Sequence, residues 1–90
     1  MNEFTYIIQQ VAAVTGCTEA DLLRKSRMEH IADGRAVAQW LLRKKGWSLK
    51  RIGRAFDDAH HTSVVANVKK IERANRMTKT VRKIQELEAK

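Results

Sequence analysis

Four polar side chains stand in a row at positions 60–63: His60, His61, Thr62 and Ser63. Together they offer imidazole nitrogens, two hydroxyls and one threonine methyl, a set suited to reading hydrogen-bonding edges and apolar groups. Cations bracket the row. Lys50, Arg51 and Arg54 precede it, and Lys69 and Lys70 follow it. Side chains of this kind at the start of a helix suit base edges, with cations placed for flanking phosphates.

Other chemistries fit less well. Cys17 sits beside Gly16 with no nearby base in sequence, and reads as a small half-buried thiol. His60 and His61 are adjacent and point about 100° apart on a helix, so they do not chelate one ion easily. Neither C-x₂-C nor H-x₃₋₅-H spacing occurs around His30, His60 and His61. No Gly-rich phosphate loop is present. The sequence therefore predicts no catalytic residue, metal, cofactor or nucleotide.

The elements that must hold the polar row are short amphipathic helices. Ser48 is a good N-cap. Leu49, Ile52 and Phe56 then fall at i, i+3 and i+7, and Gly53 removes a side chain where a second helix could cross closely. Asp57-Asp58-Ala59 makes a turn. A second helix from His60 carries Val64, Val68 and Ile71 on one face. This is the pattern of a helix-turn-helix over residues 48–73.

Upstream, Phe4, Ile7, Ile8, Val11 and Val14 form a helical stripe closed by Gly16. Thr18 and Asp21 resemble a capping box before Leu22 and Leu23. Residues 24–33 have no helical stripe and read as a loop. Residues 31–45 form the longest helix, with Ile31, Ala38, Leu41 and Leu42 inward and Val37 or Trp40 flanking. Arg43, Lys44 and Lys45 suit its dipole, and Gly46 follows as the stop. At the C-terminal end, Met77, Val81, Ile84 and Leu87 mark a further helix that could pack back or pair with a second chain. The expected architecture is all-α: one domain over 1–75 and a helical extension over 76–90.

Ninety residues carry a formal net charge of +8, unevenly spread. Residues 1–42 hold 4 basic and 5 acidic side chains, and residues 43–90 hold 14 and 5. The half with the helix pair is thus strongly cationic and suits a polyanion. One cysteine excludes an internal disulfide and is compatible with the cytosol. No apolar run is long enough to span a bilayer, and no signal peptide is evident. Single-stranded RNA is a rival polyanion, for which Trp40 and Trp47 are the only large stacking candidates. A protein-interaction module using the stripe at 77–87 is another alternative.

Several stretches in one register resemble the C-terminal DNA-binding domain of the bacterial replication initiator DnaA. They are ADLL at 20–23, RKSR at 24–27, ADGRAVAQWLL at 32–42, SLKRIGRAF at 48–56 and AHHTSVVANVKKIE at 59–72. The last resembles the family pattern G-R-D-H-T-T-V. The resemblance implies a Trp-repressor-like helical bundle that binds double-stranded DNA. It implies base contacts from His60, His61 and Thr62 in the major groove and from Arg27 in the minor groove. For the DNA backbone it and the basic surroundings imply Ser63, Lys25, Arg35, Arg43, Lys45, Ser48, Lys50, Arg51, Lys69 and Lys70. His60 stands where the family has an aspartate that can accept from cytosine N4, Ala59 replaces an arginine, and Lys50 a proline. Glu29 and Asp33 dilute the basic loop. No ATPase module is present. The chain is expected to be a free-standing cytoplasmic regulator of transcription or replication initiation, its N-terminal Met and added tail favouring this over an excised domain.

Overall fold

The computed structural model describes residues 2–24 and 28–73. Five helices occur among them: α1 (Glu3–Thr15), α2 (Glu19–Leu23), α3 (Glu29–Lys44), α4 (Leu49–Ala55) and α5 (His61–Arg73). The fold is all-α, as expected. The proposed helix and pairing surface over 76–90 lie outside the described residues.

Caps set the boundaries. Asn2 accepts from the Thr5 N–H at 2.7 Å and starts α1. Gly16 ends it with φ 75°, a left-handed conformation that costs glycine little. Thr18 and Asp21 form the reciprocal capping box of α2. Ser48 accepts from the Arg51 N–H at 3.1 Å and starts α4. Each satisfies a donor or acceptor that a helix end leaves open.

Helix α3 begins at Glu29, two residues before the first inward residue of the sequence pattern. It packs against all four other helices. That explains why its buried residues run unbroken from Gly34 to Gln39, not along one stripe. Val37, expected only to flank, is fully buried, while Trp40 is half-buried. The core joins Ile7, Ile8 and Val11 of α1 and Leu22 of α2 to α3, and continues through Ile52 and Phe56 to Val64, Val68 and Ile71 of α5.

The turn between α4 and α5 is tight. A Cβ built on Gly53 would lie 2.3 Å from the Ala59 carbonyl oxygen, so only glycine fits. The close neighbour is thus turn backbone; the nearest α5 atom, Val64 Cγ2, is 3.8 Å away. The Ala59 N–H donates to the Gly53 carbonyl at 2.8 Å and closes the turn. Asp57 and Asp58 both hold left-handed φ, 57° and 56°. Aspartate is among the few non-glycine residues that tolerate this, at a cost.

Candidate nucleic-acid interface

Burial of Val64, Val68 and Ile71 fixes which side of α5 faces out. His61, Thr62 and Ser63 in its first turn are all exposed. Thr62, Ala66, Lys69 and Arg73 follow at i, i+4, i+7 and i+11 and are also exposed. Helical spacing places these four along the line opposite the buried face. Ala66 and Arg73 were not singled out from the sequence; their spacing from Thr62 was the available signal.

His60 lies just before α5, not within it. The Thr62 N–H donates to His60 Nδ1 at 3.2 Å, and the Thr62 hydroxyl lies 2.7 Å from the same nitrogen. This is the bond an N-cap side chain makes. An Nδ1 that accepts carries the lone pair, so the ring proton sits on Nε2. The His61 ring lies over that of His60, centroids 4.4 Å apart. The helical estimate of diverging rings therefore does not hold, because His60 is outside the helix. Among the described residues no group of three or more His, Cys, Asp or Glu could hold a metal ion.

Beside the first turn, a cleft of about 520 Å³ is lined by Ala32 and Arg35 of α3, Asp57 of the turn, and His60, Ser63 and Asn67. Ser63 thus opens on the α3 side, into a cleft that Ala66 of the outer line also reaches.

Arg35 departs from its expected place at a phosphate. It is 9% exposed. Its guanidinium donates to the Leu23 carbonyl at 3.3 Å and the Phe56 carbonyl at 3.1 Å, and lies over the Phe56 ring. Those carbonyls end α2 and α4, where acceptors lack helical partners. Burial pushes the guanidinium below its ordinary value, and nearby Asp57 opposes that shift. Its role here is to tie helix ends together.

Several other cations are exposed but engaged. Lys70 meets Asp33 of α3 at 2.7 Å. Arg43 donates to the Trp47 carbonyl at 2.9 Å. Arg51 lies 3.6 Å over the Trp47 ring. The Ser48 hydroxyl, expected at a phosphate, is used as a cap. Lys45, Lys50 and Lys69 are exposed. Lys25 and Arg27 lie outside the described residues, so the expected minor-groove contact has no position here.

Both tryptophans are occupied. Trp47 stacks on Phe4 with centroids 5.8 Å apart and donates from Nε1 to Glu3 at 2.8 Å, while Arg51 covers its ring. Lys44 lies 4.9 Å over Trp40. Among the described residues no helix is long and apolar enough to cross a membrane.

The model of the bacterial DnaA protein helix-turn-helix matches residues 4–71, most of the chain and all five helices but the ends of the first and last. The family's helix-turn-helix domain binds DNA and is not catalytic. On that match, over a helix pair whose first turn carries His61 and Thr62 in the open, the chain belongs to the bacterial DnaA helix-turn-helix family.

Proposed function

We propose that the chain binds duplex DNA with sequence preference and places α5 in the major groove. The observation that carries this is the exposed His61-Thr62-Ser63 row at the start of a 13-residue helix whose opposite face is buried. His61 donates to purine N7 or O6 or packs on a thymine methyl. Thr62 offers a methyl and a hydroxyl to the base edges. His60 caps the helix and presents an Nε2 donor where the family has an aspartate acceptor, which shifts preference away from a cytosine N4 at that position. Ser63, Lys45, Lys50, Arg51 and Lys69 serve phosphates, Arg43 joins them at the end of α3, and Lys70 reaches one only when Asp33 releases it. Arg27 enters the minor groove and Lys25 meets the backbone.

The role is occupancy of promoter or origin-like sites. With no P-loop in the sequence, these ninety residues do not couple binding to nucleotide hydrolysis. Phe4 and Arg51 contact the Trp47 ring and Lys44 contacts the Trp40 ring, which leaves less open indole surface for stacking single-stranded bases. Selection of bound duplexes from a random pool, followed by competition with single-stranded RNA at one salt concentration, tests the reading. A common motif and weak RNA competition are expected. Equal competition by RNA and no shared motif would overturn it.

A further inference from the structure

The core contains one polar side chain with no obvious use. Gln39 sits in α3 at 0% exposure. Its Oε1 accepts from Asn67 Nδ2 of α5 at 2.8 Å, and its Nε2 has no hydrogen-bond partner among the described residues. An apolar residue there would remove that orphaned donor, so stability alone does not account for a glutamine.

We propose that Gln39 is a positioning residue for base recognition, acting through Asn67 to set the rotation of α5. This rests on the reading of α5 as the groove-entering helix. Val64, Val68 and Ile71 hold α5 by contacts that have no preferred direction. Such contacts fix rotation less sharply than a directional bond does, and the exposed Lys70–Asp33 pair adds only a weak tie. The tight contact of Gly53 with the Ala59 carbonyl holds the turn before α5, at one end of the helix only. The amide bond is directional and weakens steeply when misaligned. It is made between the two helices at position 67, one turn past the first-turn row.

Side-chain tips lie about 6 Å from a helix axis, so a 20° rotation moves them by about 2 Å. A hydrogen bond from His61 or Thr62 to a base edge does not survive such a shift. Contacts from long, flexible lysines to phosphates do survive it. Loss of the amide pair therefore lowers discrimination between sequences and leaves general affinity in place.

The test compares the wild-type chain with Gln39→Leu, Asn67→Ala and the double variant. Affinities for the selected duplex and for a scrambled duplex are measured at one salt concentration, beside thermal melts. Each single variant is expected to keep its scrambled-duplex affinity within about twofold and to lose about tenfold in the ratio of the two affinities. The double variant loses no more than either single one, because both remove the same bond. A ratio kept by Gln39→Leu at an unchanged melt overturns the proposal. So do losses that multiply in the double variant, which would mean that Asn67 touches DNA on its own account. If Gln39→Leu does not fold, Gln39→Met, unbranched like glutamine, takes its place in the same single and double comparison. A wild-type chain with no preference sinks the underlying reading of α5 and this inference with it. A wild-type preference that the variants retain sinks only the positioning role.

Discussion

Asp33 holds a cation that the interface could use. Its Oδ1 lies 2.7 Å from Lys70 Nζ, with the side chains 37% and 57% exposed. Exposed pairs of this kind contribute about 0–1 kcal/mol, so Asp33→Asn is expected to cost little stability. Its effect on binding is larger. The freed ammonium gains a phosphate, which steepens the log–log salt slope by about 0.9. A fourfold rise in salt then weakens the variant about 3.5-fold more than the wild type. At low salt the variant binds up to about fivefold more tightly, the equivalent of about 1 kcal/mol. Fluorescence anisotropy with one labelled duplex across a salt series measures both quantities. Two controls separate this from a simple loss of negative charge. Glu19→Gln on α2 removes an equal charge from an exposed site. Lys70→Ala on the Asp33→Asn background should return the slope to the wild-type value. If Asp33→Asn and Glu19→Gln raise affinity equally, or if the slope stays put, Lys70 is not a phosphate ligand and the reasoning fails.

Four substitutions test, by unfolding, how the turn and the helix ends are held. Gly53→Ala forces a Cβ to within 2.3 Å of the Ala59 carbonyl oxygen, and the neighbour is backbone that cannot swing aside. A loss of about 1–3 kcal/mol in urea unfolding is expected despite alanine's better helix propensity, and an unchanged midpoint would show that the turn yields. Arg35→Met strands the Leu23 and Phe56 carbonyls and should cost about 2–4 kcal/mol, read by the same unfolding curves. Asp58→Gly relieves a left-handed residue and should stabilise by about 0.5–1 kcal/mol. The gain from Asp57→Gly should be smaller, because Asp57 also attracts Arg35.

Local signals in the sequence were reliable where the physics is local. Ser48, Gly16 and the Thr18–Asp21 box cap as their residue types imply, and Val64, Val68 and Ile71 are buried as their spacing implies. What escaped depends on partners distant in the chain. Arg35 reads as a surface cation until the ends of α2 and α4 close around it. Lys70 and Asp33 are 37 residues apart and Asn67 and Gln39 are 28 apart, and no local pattern pairs them. Gln39 was invisible as a core residue because amphipathic reasoning assumes one wet face, and α3 is covered on several sides. The apolar spacing starts α5 at His60, whereas the helix begins at His61, and that shift of one residue adds a capping role to His60.

The central claim is that the exposed first turn of α5 reads bases while its later cations hold phosphates. Affinities of the wild type, His61→Ala, Thr62→Ala and Lys69→Ala for the selected and the scrambled duplex, across one shared salt series, test it most directly. His61→Ala and Thr62→Ala should lose about 1–3 kcal/mol on the selected duplex and little on the scrambled one. Lys69→Ala should weaken both alike and flatten the salt slope by about 0.9. Thr62→Ala and Lys69→Ala losing equally on both duplexes would contradict the account.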